Sequence, residues 1–248
     1  MKHTLTFGFA LALAATISSP GIARAQQQPD LRFKTGMWPD GAVIGASLAA
    51  ALVPVLWPNH FPRATCSPCD PAALWSFDRS TIGPLRSLPD KISYLTVGSE
   101  AVMGFLFLAH SRKGQGSAAF WEDVTIGAQS ASVAAATTEW LKVLFHRPRP
   151  FLYLPTASGT PTADNGRAFP SSHGTIAFAA AAAYASILHR RGLLGQHKLQ
   201  VGLLFAAAAV TGALRVVAHQ HFPTDTIAGA AVGFAVGWTV PALHATVP

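Results

Sequence analysis

The chain has 248 residues, half of them hydrophobic and 12% charged, with a formal net charge of +7. Its length allows one domain, or one domain plus a targeting segment. Ordinary soluble domains carry about a quarter charged residues, so the composition argues against that class and toward a membrane or a large buried core. The positive balance fits anionic substrates, anionic lipid surfaces or Lys/Arg-rich cytoplasmic loops, and no stretch calls for a nucleic acid.

Residues 1–25 read as a secretory signal: Lys2 and His3, an apolar run from Leu5 to Ile17, and Ala23-Arg24-Ala25 before Gln26. An uncleaved anchor is the alternative, and either one sends the chain into the cell envelope. Gln26 to Asp40 reads as a polar, flexible lead-in. Ala42 to Trp57 is apolar, but its 16 residues contain Pro54. That length suits a buried or interfacial helix better than a membrane span. The Pro-rich connection that follows holds Cys66 and Cys69, which can form a local disulfide in an oxidising compartment; a redox or metal role is the weaker reading.

Ile92–Ala109 and Ala118–Phe145 are the next two apolar segments, separated by His110-Ser111-Arg112-Lys113-Gly114. The second carries Glu122, Asp123, Gln129 and Glu139, so it cannot face lipid all round and reads as an inner helix ending near Lys142. A Pro/Gly/Thr-rich loop, 151–169, leads to a helix from His173 to Leu188. The segments Val201–Ala218 and Thr226–Leu243 follow, the last with Gly229, Gly233 and Gly237 every four residues. That spacing puts a small-residue face on one side and allows close helix approach. No strand alternation competes, so the expected fold is all-α. The chain divides into a signal (1–25), a lead-in with one apolar helix and a Pro/Cys-containing connection (26–91), and a helical domain (92–245).

Chemistry gathers at the ends of these segments. Lys142 is followed after six residues by Arg149-Pro150; then comes Pro170-Ser171-Ser172-His173; then Arg215, His221 and Asp225. A guanidinium or ammonium in apolar surroundings is costly without an opposite charge. If several of these cations converge, an external anion is the natural balance, and Arg forks with a Lys point charge match phosphate. Asp225 lies four residues after His221, where a carboxylate can fix the imidazole tautomer and sharpen the other nitrogen as nucleophile or base. His173 opens a helix whose free N–H groups, with the Ser171 hydroxyl, can take oxyanion oxygens. His146, His219 and Arg147 read as ordinary flanking residues.

Together these stretches resemble the signature of the type 2 phosphatidic acid phosphatase (PAP2) superfamily, which also includes bacterial acid phosphatases and vanadium haloperoxidases. The resemblance covers about residues 95–240. It implies a bundle of about six apolar helices with the active site at one end. It also implies that Lys142, Arg149, Arg215, Ser171 and the backbone near Ser172 and His173 hold phosphate. His221 would attack phosphorus to give a phosphohistidine, Asp225 would orient His221, and His173 would protonate the departing oxygen. No metal or cofactor is implied, with vanadate relevant only to the haloperoxidase chemistry. Two positions depart from the pattern: Ser172 stands where Gly is usual, and Leu214 where Ser is usual.

The expected activity is an envelope phosphatase acting on phosphomonoesters or pyrophosphates, with a phosphorylated lipid as the substrate class. The alternatives are a soluble periplasmic acid phosphatase acting on small phosphate esters, a haloperoxidase, or a non-catalytic membrane protein. Basic loops near 112 and 191 place the motifs on the opposite, periplasmic side of an inner membrane. That orientation conflicts with a cleaved leader if residues 42–57 cross, so either that segment does not span or the molecule is soluble. Substrate identity and oligomeric state are not legible.

Overall fold

The computed structural model describes residues 33–114 and 116–246; the expected signal sequence lies outside them. Seven α-helices are present among these residues: α1 (Met37–Leu56), α2 (Ser76–Arg79), α3 (Ser87–Ser111), α4 (Ser117–Phe145), α5 (Ser172–Arg190), α6 (Lys198–Val217) and α7 (Pro223–His244). The fold is all-α, with six long helices and one short one.

The Ala-rich sequence of α5 makes it the axis of the bundle. Small side chains let neighbours approach from every side, and Ala179, Ala181, Ala182 and Leu188 are fully buried. The glycines of α7 provide the closest of these approaches. A Cβ at Gly233 would sit 2.2 Å from the Thr175 carbonyl oxygen, and one at Gly237 2.2 Å from that of Ala179. The four-residue glycine spacing therefore seats the α7 backbone directly on α5, as expected.

α1 departs from the expected short helix. It begins at Met37, extending the apolar segment to 20 residues. Pro39 is accommodated because the first turn needs no intrahelical N–H donor. With α3, α6 and α7 it is one of four helices long and apolar enough to cross a bilayer. Their outward faces carry large apolar side chains such as Leu95, Val102, Leu199 and Ile227, all more than half exposed. Those faces suit hydrocarbon rather than water. α4 is the inner helix expected from its polar residues, with Asp123, Gln129, Thr138 and Lys142 all buried.

The bundle has two chemically different ends. At one, Arg112 donates to Asp123 at 2.6 Å and Arg191 to the same carboxylate at 2.6 Å. The chain enters there, where Lys34 N–H donates to the His244 carbonyl and Phe33 bridges to Ala245. The two arginines counted as topology signals are thus buried in one ion-pair cluster, which weakens them as free loop charges. The motif residues gather at the other end. There a disulfide joins Cys66 to Cys69, and Cys69 N–H donates to the Leu152 carbonyl.

Candidate active site

Each cation of the three motifs has a carboxylate of its own. Lys142, on the last turns of α4, donates to Glu139 at 2.9 Å, one turn earlier on the same face. Arg149 makes a forked pair with Asp164 at 2.9 and 3.1 Å and also donates to the Gln220 side chain and carbonyl. Arg215 is paired with Asp90 of α3 and donates to Ser93 at 3.1 Å. The expectation that an external anion is the natural balance for these charges is thus modified by internal pairing. The three buried cations are neutralised internally, and an arriving anion would share or displace those carboxylates. Arg215 keeps one unpartnered N–H, at Nε.

The second motif is built between these cations. Ser171 is fully buried, its N–H donates to the Asp225 carbonyl at 3.0 Å, and its hydroxyl has no partner. Ser172, in the position where Gly is usual, turns its hydroxyl to Glu139 at 2.7 Å. Its side chain therefore braces the carboxylate that holds Lys142. His173 stands edge-on to Tyr94, with ring centroids 4.4 Å apart, and Arg215 lies over the same Tyr94 ring.

His221 sits in the short turn before α7, 1% exposed. Its Nδ1 lies 2.6 Å from the Ala168 carbonyl oxygen. A carbonyl only accepts, so Nδ1 carries the proton and Nε2 presents a bare lone pair. Asp225 does not make this bond: its nearer oxygen is 3.8 Å from Nδ1. That oxygen instead accepts from Phe222 N–H at 2.8 Å, while the other accepts from Arg147 at 2.5 Å. The expected Asp225–His221 hydrogen bond is replaced by a backbone contact because the loop before the second motif brings Ala168 against the ring.

Arg147, read from sequence as an ordinary flanking residue, is a hub. It donates to Asp225, to Thr224 at 2.7 Å and to Asp78 of α2 at 2.7 Å, and it stacks over Phe222. Asp78 is 1% exposed and also accepts from the N–H and hydroxyl of Thr224. Sequence carried no signal for Asp78, Asp90 or Tyr94, since each lies far along the chain from the motif it supports.

Both imidazoles lie outside the four helices that are long and apolar enough to cross a bilayer, and both are held neutral. His221 is driven well below the ordinary range by burial, then by Arg149, Arg215 and Lys142. His173 is pushed down to about 3 by burial, then by Arg215, Lys142 and Arg149. The same three cations act on both rings, so the three motifs lie close together at one end of the bundle. No cluster of His, Cys, Asp and Glu suited to a metal occurs among the described residues.

The fold and the site together are those of a helical bundle with four helices long and apolar enough to cross a membrane and with cations and imidazoles gathered at one end. The chain belongs to the PAP2 superfamily, whose sequence profile matches residues 124–247, and it is a phosphoric ester hydrolase. None of the curated proteins matches it in sequence. Among solved structures it is similar to the first transmembrane PAP2 type phosphatidylglycerolphosphate phosphatase from Bacillus subtilis. The two share 16% identity over 84% of this chain and 96% of that one, with a TM-score of 0.47.

Proposed function

We propose that the chain is a membrane phosphatase that hydrolyses phosphomonoester or pyrophosphate groups of lipids through a phosphohistidine at His221. The observation that carries this reading is the His221 ring, whose Nδ1–H is tied to Ala168. Lys142, Arg149 and Arg215 all lie close enough to act on the same ring, whose Nε2 is bare. The Nε2 lone pair attacks phosphorus, the bond to the leaving oxygen breaks, and that oxygen takes a proton from His173. Water then attacks the phosphohistidine and gives its proton to His173, the P–N bond breaks, and phosphate leaves. The three cations balance the charge on the transferring group throughout.

A bound dianionic phosphate adds negative charge close to His173, beyond that of the carboxylates already paired with the three cations. That charge raises His173 from its depressed value so that it can serve as an acid. The lipid preference is supported by α1, α3, α6 and α7, which are long and apolar enough to cross a bilayer.

The site faces the oxidising side of the membrane in this reading, supported by the Cys66–Cys69 disulfide at the motif end. With α1 crossing, Phe33 then lies on the cytoplasmic side. A leader cleaved at residue 25 and an extracytoplasmic site do not coexist in that arrangement.

The test is phosphate release from lipid phosphates in detergent without added metal, together with trapping of radiolabelled enzyme. The wild type should acquire acid-labile, base-stable label, and His221→Ala should lose both label and turnover. Turnover surviving in that variant rejects the role given to His221.

A further inference from the structure

Ser172 is the first residue of α5, and its hydroxyl donates to Oε1 of Glu139 at 2.7 Å. The same oxygen accepts from the Lys142 ammonium at 2.9 Å. One carboxylate oxygen of α4 therefore joins the cation of the first motif to the opening turn of the second. A negative charge is favoured there, because the free N–H groups at a helix start carry partial positive charge. Lys142 and the start of α5 are both groups suited to phosphate oxygens, and Glu139 touches each of them.

Lys142 depends on such a partner, being 7% exposed. Burial holds its pKa below the ordinary range; Glu139 opposes this most strongly, Arg149 adds to it, and Asp164 opposes it more weakly. His173 and His221, on which Lys142 also acts, are neutral rings. Glu139 and Asp164 line a neighbouring cavity whose other charged residues are Arg63 and Arg167.

We infer that Glu139, anchored by Ser172, is a positioning residue that keeps Lys142 charged and aimed for the scissile phosphate, while its own negative charge restrains how tightly phosphate binds. The inference rests on the phosphatase reading above and assigns two side chains that its chemical steps do not use. Ser172 stands where the superfamily usually has Gly, which has no hydroxyl to offer, so the bridge is a feature of this chain.

The two effects of Glu139 oppose each other, and that separates the role from a merely structural one. Glu139→Gln keeps the shape and an accepting oxygen but removes the charge. While Lys142 is protonated, phosphate then meets one negative charge fewer and binds more tightly. As pH rises, Lys142 loses its proton earlier in the variant, and binding falls below that of the wild type. The two affinity curves should cross, whereas a structural defect lowers affinity by a similar factor at every pH.

The experiment measures calorimetric binding of inorganic phosphate by the full chain in detergent from about pH 6 to about pH 10, with kcat and KM for a lipid phosphate alongside. Glu139→Gln should bind about threefold or more tightly at the acid end and more weakly by a similar factor at the alkaline end. KM should follow the same crossing, with kcat within about twofold. Ser172→Ala should move the alkaline fall in affinity to lower pH, and Ser172→Thr should restore it. Parallel curves for Glu139→Gln, or a Ser172→Ala profile that matches the wild type, overturn the inference. Should Glu139→Gln not fold, the Ser172 pair decides through the alkaline limb alone. Crossing curves without turnover would reject the phosphatase reading and leave the Glu139–Lys142 assignment standing; turnover through His221 with parallel curves would do the reverse.

Discussion

Arg147 donates to Asp225 at 2.5 Å, while the ring of His221 stays 3.8 Å from that carboxylate. The acid of the third motif is thus held by an arginine of the first, and its influence on His221 passes through the turn at Phe222. Asp78 clamps the far side of the same guanidinium.

This arrangement predicts that Arg147→Ala destabilises the fold by about 3 kcal/mol or more, since it leaves two buried carboxylates facing each other. Turnover should fall at least tenfold with KM nearly unchanged, because Arg147 positions His221 and does not touch phosphate. Asp78→Asn keeps the shape and should give a milder version of both effects. Denaturant unfolding and steady-state kinetics check this; a rise in KM alone would assign Arg147 to substrate binding.

The depressed imidazoles make the empty protein sensitive to acid. Free histidine titrates near 6.5, so the unfolded chain takes up protons below that value while folded His173 and His221 do not. Stability from these groups is complete above about pH 6.5 and is lost as pH falls toward their folded values. These two rings should therefore contribute a drop in melting temperature in detergent from pH 7 to pH 5. The drop should shrink in His173→Gln and with saturating phosphate, whose charge offsets the cations. Identical drops with and without phosphate would contradict the electrostatic account.

Gly233 offers a test of how packing sets the site. Its substitution by Ala puts a methyl against the Thr175 carbonyl and the Ala179 amide of α5, and overpacking of this kind costs about 1–3 kcal/mol. Because the start of α5 carries Ser171 and His173, Gly233→Ala should lower both melting temperature and kcat. Gly202→Ala, where a Cβ meets open space, should change neither.

Orientation can be read with thiol labelling, since both native cysteines are joined in a disulfide. Thr156→Cys, exposed at the motif end, should react with a membrane-impermeant maleimide on intact cells. Lys113→Cys, exposed at the other end, should react only after permeabilisation. The reverse pattern would turn the site toward the cytoplasm.

The helices were legible because apolar segments and glycine spacing are local properties: α4 as an inner helix and a close-approach face on α7 follow from composition and periodicity, while the choice of α5 as its partner came from the tertiary structure. The length of α1 was misjudged because Met37 to Asp40 were read with the polar lead-in, although they form its first turn, where proline is tolerated. The motif residues could be named from sequence because their spacings within each stretch are short.

What the chain alone determined is which groups are available: three cations, two imidazoles and the elements that carry them. Only the tertiary structure decided how they are paired. Lys142 could be matched with Glu139 along one helix, but the Asp90–Arg215 pair, the Asp78–Arg147 clamp and the Ala168–His221 bond join residues 53 to 125 positions apart. Such pairings depend on which helix ends meet, and a hydrogen bond is fixed by tenths of an ångström that no linear pattern encodes.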